Sequence, residues 1–452
     1  MLLIGSLSFY AWGETVYVLF LMLSIVVNYI LGRIIASHST GFRNTAFTAG
    51  IFLNLSMLAI FKYSNFLVEA LNLVLFRFNI PPVTIGPTHL PLGISFFTFQ
   101  AISYLFDVYR GTAPAEKSIL SLGVYISMFP QLVAGPIVRF HTIYREIYHR
   151  VLNEKEIARG IKVFIVGLSQ KVLVANTVAV AADKIFELPI EHIPQSISWL
   201  GAICYTLQIY FDFAGYSNMA IGLGLILGFH FPQNFNYPYF SQSITDFWRR
   251  WHITLSNWFR DYLYIPLGGS RCGHLRTYIN LFIVFALCGF WHGASHTFII
   301  WGLFHGFFIV LERIGLSKVL LRIGRPWTHA YVLCVVLVGW VFFRSESLNQ
   351  AIYYLQIMFG MNVPRISYYQ IWEFLRLDTA VALVVGTLFS CPILPFIRRQ
   401  AESILHQFYP AYPDQKIFIN TTLSLLGITG IFLLVAMSLA AGAHNPFIYY
   451  RF

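Results

Sequence analysis

Two histidines carry the most unusual chemistry in this chain. His292 sits in Cys288-Gly-Phe-Trp-His-Gly-Ala-Ser295, inside a stretch from Thr277 to Leu311 that holds no Asp, Glu, Lys or Arg. An ionisable imidazole in so apolar a run is costly when charged, which makes it a candidate functional group. Forty positions upstream, His252 lies in Asp246-Phe-Trp-Arg-Arg-Trp-His-Ile-Thr-Leu-Ser-Asn-Trp-Phe-Arg-Asp261, among tryptophans and arginines. A neutral imidazole at either place can take a proton from a hydroxyl, a general-base role worth typically ~10²–10⁴-fold in rate. Arginine forks suit phosphate, and tryptophan faces suit planar rings or cations, so a phosphate-bearing acyl donor fits the second segment.

Each histidine also has a plainer reading that the residues leave open. His292 satisfied by a helix–helix hydrogen bond contributes only ~0.6 kcal/mol. The Trp/Arg segment around His252 is equally the pattern of a helix anchored at the lipid headgroups. His292 and His296 are four apart, as zinc pairs on a helix are, but the next position is Gly293 where a zincin needs Glu, and no third ligand is near. No metal is expected. No nucleophile elbow, P-loop or dinucleotide fingerprint occurs, which favours direct transfer over a covalent serine intermediate.

The elements that must position these residues are membrane helices. Of 452 residues, 57% are hydrophobic and 11% charged, far below the quarter charged of a soluble domain. Apolar runs at Val16–Ile34, Thr45–Phe61, Leu120–Val138, Val163–Ala182, Ser196–Phe213, Tyr278–Trp291, Phe298–Leu311, Tyr331–Phe343, Thr379–Pro395 and Ile417–Ala440 approach or reach spanning length. The reading is an all-α polytopic membrane protein of roughly ten to twelve crossings, one membrane-embedded domain over 1–452. The segment Asn65–Phe76 is too short to span by itself and reads as re-entrant. The net charge of +11 does not indicate nucleic acid, because the basic residues cluster at the ends of apolar runs. Arg139 to Lys162, Arg249 to Arg276, Arg313 to Arg325 and Arg398–Arg399 then face the cytoplasm, with Arg344, Arg365 and Arg376 left outside against the rule.

Around the histidines the pattern breaks. From Tyr216 to Asp246, glycines at 222, 224 and 228 interrupt an apolar run, followed by Phe231-Pro-Gln-Asn-Phe-Asn-Tyr-Pro-Tyr-Phe. Irregular backbone at membrane depth needs a protein or water-filled surrounding. Ser243-Ile-Thr-Asp246 has capping-box spacing and predicts a helix start, placing Trp248, His252 and Leu255 on one helical face. A turn is expected near His292–Thr297. Tyr144-Arg-Glu-Ile-Tyr-His-Arg predicts an amphipathic helix along the inner membrane surface, its arginines meeting lipid phosphates. Asp107, three from Arg110, reads as a local pair, and Asp212 as a helix cap or cavity-lining group. The five scattered cysteines read as small buried hydrophobes. Leu2–Trp12 lacks the basic n-region of a signal peptide, and reads as a retained anchor or as the start of a chain whose beginning is missing.

These segments resemble the membrane-bound O-acyltransferase family, in the branch of the bacterial alginate O-acetyltransferase membrane subunit. The resemblance runs through Pro91-Leu-Gly-Ile-Ser-Phe-Phe-Thr-Phe-Gln100, Phe129-Pro-Gln-Leu-Val-Ala-Gly-Pro136, Tyr210-Phe-Asp-Phe-Ala-Gly-Tyr-Ser217, Asp246 to His252, Trp258-Phe-Arg-Asp-Tyr-Leu-Tyr-Ile-Pro-Leu-Gly-Gly269, Phe290-Trp-His-Gly-Ala294 and the final Phe447-Ile-Tyr-Tyr-Arg-Phe. It implies a helical fold around a transmembrane cavity, in a multi-pass protein of the bacterial cytoplasmic membrane. It implies His292 as the catalytic histidine and His252 as the second, with Trp248, Arg249, Arg250, Asn257 and Trp291 as substrate-binding candidates. No cofactor is expected to be tightly bound. The implied donor is a CoA thioester, acetyl-CoA. The implied acceptor is an extracytoplasmic polysaccharide, served by a separate periplasmic or surface acetyltransferase. Relatives of this branch carry a further apolar segment ahead of Leu2–Trp12. Two other classes remain on sequence grounds: a proton or solute transporter lined by His252 and His292, disfavoured by the lack of an internal repeat, and a non-catalytic scaffold.

Overall fold

Apolar runs without water to bond their backbone must close their hydrogen bonds internally, and helices do this within one segment. Every regular element among the described residues of the computed structural model is helical. The structure describes residues 1–37, 40–86, 89–362, 368–408, 413–442 and 447. Arg365 and the terminal motif beyond Phe447 lie outside them.

Among the described residues, seven helices are long and apolar enough to cross a membrane: Val18–Ser37, Gly41–Arg77, Glu154–Phe186, His274–His292, His296–Ile323, Arg325–Arg344 and Thr421–Ala440. An eighth span results if Leu377–Phe389 and Ile393–Ala401, bent by 66°, count as one. One shorter apolar helix among the described residues, Leu2–Gly13, stands apart from these. The run Leu120–Val138 is not one helix, since it divides into Ile119–Ser127 and Phe129–Leu132 where Pro130 enters. Its apolarity reflects core burial, with Tyr125, Ile126, Met128, Leu132 and Ala134 fully covered. The segment Asn65–Phe76 is not re-entrant but continues the helix Thr40–Arg77, 38 residues long. At 1.5 Å per residue that helix is about 57 Å, well beyond the ~30 Å hydrocarbon core.

The chain divides into two compact units, each assembled from separate segments. The first comprises Met1–Ala158, Leu223–Pro232 and Asn257–Ser295. Within it the helices Val18–Ser37, Thr40–Arg77 and Ile94–Arg110 pack mutually. Ile94–Arg110 is the central one, with all but three of its 17 residues buried. Trp258, from the third segment, stacks on Phe99 at 3.8 Å and 3°, and its indole N–H donates to the Phe99 carbonyl at 3.0 Å.

The second unit comprises Arg159–Gly222, Gln233–Ser256 and His296–Phe452. In it, the helix entering from Glu154–Ser169 crosses Gln195–Ile226 at van der Waals limit. A Cβ on Gly167 would lie 2.5 Å from the Gly215 carbonyl oxygen, one on Gly215 would lie 2.6 Å from that of Gly167, and one on Gly222 would lie 2.6 Å from that of Gly160. Small residues permit this approach, the usual basis of helix association in lipid. Beside the crossing, Gln170 accepts from Asn218 at 2.8 Å, and Lys171 pairs with the buried Asp212. Asp212 is therefore not a helix cap, because it lies inside a continuous helix with its own counter-ion. Gly222 and Gly224 are helical too; the irregular stretch begins only after Ile226, at Gly228, whose φ is +80°.

Candidate active site

His252 occupies a helix break in the second unit. Ser243 caps the helix Ile244–Arg250 as its spacing predicts, its hydroxyl accepting from the Asp246 N–H at 2.9 Å. A second cap was not legible locally. The buried carboxylate of Glu312 accepts from the Ile244 and Thr245 N–H groups, at 2.5 and 2.9 Å, and from the Thr245 and Tyr331 hydroxyls at 2.6 and 3.2 Å. A carboxylate at a helix N-terminus is favoured by both the orphan donors and the dipole.

The helix stops at Arg250 and a new one runs from Ile253 to Phe259. The expected continuous face of Trp248, His252 and Leu255 is therefore corrected. His252 has φ +42°, in the left-handed region that a side chain occupies only when its surroundings impose it. The irregular loop imposes it here: the Asn234 carbonyl accepts from the Ile253 N–H at 2.9 Å, and the Asn236 N–H donates to the Arg250 carbonyl at 3.0 Å.

Asn234 also fixes the imidazole. Its Oδ1 receives the Thr254 N–H at 3.3 Å and the Thr254 hydroxyl at 2.9 Å, and its Nδ2 donates to Ser217 at 3.0 Å. A backbone N–H only donates, so that atom is the oxygen, and His252 Nδ1, 3.0 Å away, must carry a proton to donate to it. The ring is fully buried, with Phe213 edge-on at 4.6 Å, and burial pushes its pKa down from 6.5 to about 3. It is thus a neutral imidazole with its lone pair on Nε2, the tautomer of a general base.

The basic residues of the segment are disposed otherwise. Arg249 is exposed, while Arg250 pairs with Asp246 at 2.9 Å. Trp248 is a core ring, 7% exposed, in edge contact with Trp301 at 5.7 Å and His305 at 5.3 Å. Asn257 is half-buried on the helix Ile253–Phe259.

His292 belongs to the first unit, where it is the last residue of the helix His274–His292 and only 3% exposed. Gly293–Ser295 follows as non-helical backbone and the next helix begins at His296, so the break falls where the turn was expected, and His292 and His296 share no helical face. The final carbonyls of a helix lack intrahelical donors and carry partial negative charge. Here they are claimed from the helix Thr40–Arg77. Lys62 Nζ donates to the Trp291 and His292 carbonyls at 2.5 and 3.2 Å, and the Tyr63 hydroxyl donates to that of Phe290 at 2.9 Å. Tyr63 also stacks on Phe290 at 4.1 Å, and the Lys62 ammonium lies 5.7 Å from the Trp291 ring. Trp291 stacks on Phe99 at 5.3 Å. A lysine midway along a spanning helix is thereby explained by the helix end it holds.

One further acid and the cysteines differ from the sequence reading. Asp107 does not pair with Arg110; it accepts from the His141 N–H and Nδ1 at 3.0 and 2.9 Å and from the Tyr262 hydroxyl at 2.8 Å. Cys204 and Cys288 are buried, but Cys272 and Cys334 are exposed, and all five cysteines are free thiols.

Residues 15–356 match the profile of MBOAT, the membrane-bound O-acyltransferase family. The chain belongs to that family. It is a multi-pass membrane O-acyltransferase. Among its relatives is a protein of Pseudomonas aeruginosa named a probable alginate O-acetylase AlgI, 42% identical over 394 residues, which are 86% of this chain and 74% of that one. A protein of the same name from Pseudomonas putida is 38% identical across 100% of this chain and 94% of its own. A peptidoglycan O-acetyltransferase of Helicobacter pylori is 36% identical over 80% of this chain and 73% of its own.

Proposed function

We propose that this O-acyltransferase, in the bacterial cytoplasmic membrane, moves an acetyl group from a cytoplasmic thioester donor, acetyl-CoA, to a hydroxyl acceptor for O-acetylation of an alginate-like extracytoplasmic polysaccharide. His292 is the general base: it takes the acceptor's hydroxyl proton as the oxygen attacks the thioester carbonyl, and the thiolate leaves with a proton. His252 orients the donor or relays a proton through its Nε2 lone pair. Trp291, Arg249, Arg250 and Asn257 contribute to substrate binding, and a periplasmic or surface acetyltransferase receives or completes the transfer. The observation that carries this reading is the placement of His292 at a helix end held from outside the helix by Lys62 and Tyr63, in a chain of this family. Such external fixing is what a group needing a defined position requires.

The acceptor has a second reading, peptidoglycan, favoured by the Helicobacter pylori relative. Purified protein in nanodiscs, supplied with acetyl-labelled CoA, should consume the thioester and label an acceptor. His292→Ala should lower that rate ~10²-fold or more. Full activity in the variant removes His292 from the mechanism. Offering alginate oligomers and peptidoglycan fragments in parallel decides the acceptor class.

A further inference from the structure

The first unit contains a cavity of about 530 Å³ that neither histidine lines. Its charged walls are Arg110, Arg139, Arg145, His141, Asp107 and Asp261. The two acids are already engaged. Asp107 is buried and receives three hydrogen bonds, from the His141 N–H and Nδ1 and from the Tyr262 hydroxyl. Asp261 is bridged by Arg139 and, from outside the cavity wall, by Arg260 at 2.7 Å. Their charge is spent within the wall, which argues against a cation as occupant.

Arg110 and Arg145 are in the opposite condition. The Arg110 guanidinium lies over the rings of Phe106 and Tyr262, at 5.0 and 5.6 Å, and among the described residues donates no hydrogen bond. Arg145 lies 5.7 Å from the Tyr144 ring and, among the described residues, donates only from Nε, to the Tyr144 hydroxyl at 3.1 Å. Each guanidinium has five N–H donors in a planar fork matched to phosphate oxygens. Each fork lies beside an aromatic ring, a contact that guanidinium groups make readily while keeping their donors outward. The volume falls within the ~300–1,000 Å³ of small-molecule sites. His141 and Arg145 lie on the amphipathic helix Phe140–His149, and Tyr148, Val151 and Leu152 beside them expose apolar surface.

We propose that this cavity binds a phosphate ester, with Arg110 and Arg145 as its bidentate ligands and the Arg139–Asp261 pair as the fixed wall behind them. The phosphate belongs either to an anionic phospholipid headgroup or to a soluble phosphate compound, and the site stands independently of the acyl-transfer reading. Full-length protein in a neutral maltoside detergent should bind inorganic pyrophosphate by calorimetry. Arg110→Gln/Arg145→Gln should weaken that binding at least tenfold, while Arg110→Lys/Arg145→Lys, which keeps charge but loses the fork, should fall between. Repeating the titration in phosphatidylcholine nanodiscs with and without phosphatidylglycerol separates the sources. Loss of pyrophosphate binding only when phosphatidylglycerol is present assigns a lipid headgroup; unchanged binding assigns a soluble phosphate. If the variants fail to fold, hydrogen exchange on the wild type gives the same decision: pyrophosphate should protect residues 139–145 and 260–262. Equal affinity in the wild type and the double glutamine variant, or no binding and no protection in the wild type, overturns the proposal.

Discussion

At the scale of single residues, His252 shows how much of a site's chemistry is set by one neighbour. Asn234 fixes the tautomer, the left-handed backbone and the two residues that follow. The consequence for pH has a definite sign. Folded, the ring is neutral down to about 3, whereas in the unfolded chain it protonates near 6.5. The unfolded state therefore binds the extra proton as pH falls from 6.5 towards 3, and stability declines across that window by up to ~1.4 kcal/mol per pH unit. Thermal unfolding in detergent from pH 7 to pH 4 should fall less steeply for His252→Gln than for the wild type. Parallel slopes would place the acid sensitivity in other groups. The two histidines and the Ser243 cap were legible because their signals are local. Asn234, Glu312 and Lys62 were not, because each acts on residues 18, 68 and 230 positions away, and no periodicity or spacing reports such a pairing.

Helices bring these distant partners together, and their ends matter more than their middles. The strongly apolar runs were readable as helices from composition alone. What composition could not distinguish was a run apolar because lipid surrounds it from one apolar because protein does, as in Leu120–Val138. Nor could it show that the charge at Lys62 would not end a helix, since the partner that accepts it is the far end of another. Lys62→Met should leave the Trp291 and His292 carbonyls without their donor, at a cost of ~1–3 kcal/mol. The expected reading is a lower melting temperature together with a reduced kcat at nearly unchanged KM, because displacing the general base proposed at His292 would affect the chemical step more than binding. Lys62→Arg, which restores a donor and a charge, should recover part of both. A lower melting temperature with wild-type kcat would make Lys62 structural and not a positioning residue for His292.

For the molecule as a whole, the two units interleave along the chain. Each unit is completed by segments synthesised long after its first helices, and the Trp258–Phe99 contact spans 159 positions. Residues 1–158 alone therefore lack the Trp258 ring and the Tyr262 hydroxyl that cover Phe99 and Asp107. Expressed by itself, that fragment should be degraded or aggregate, and co-expression with 159–452 should rescue it, as judged by its level in isolated membranes. A stable, monodisperse 1–158 fragment would show that the late segments are dispensable. The glycine crossing of the second unit has a different kind of consequence, one that belongs to genetics. Every missense change at a glycine codon adds at least a Cβ, so at Gly167, Gly215 and Gly222 no substitution is sterically neutral. In a population of random single-base variants selected for activity, these codons should vary almost only at their silent third base, and the seven-residue interval between 215 and 222 would register the helix crossing in nucleotide counts alone.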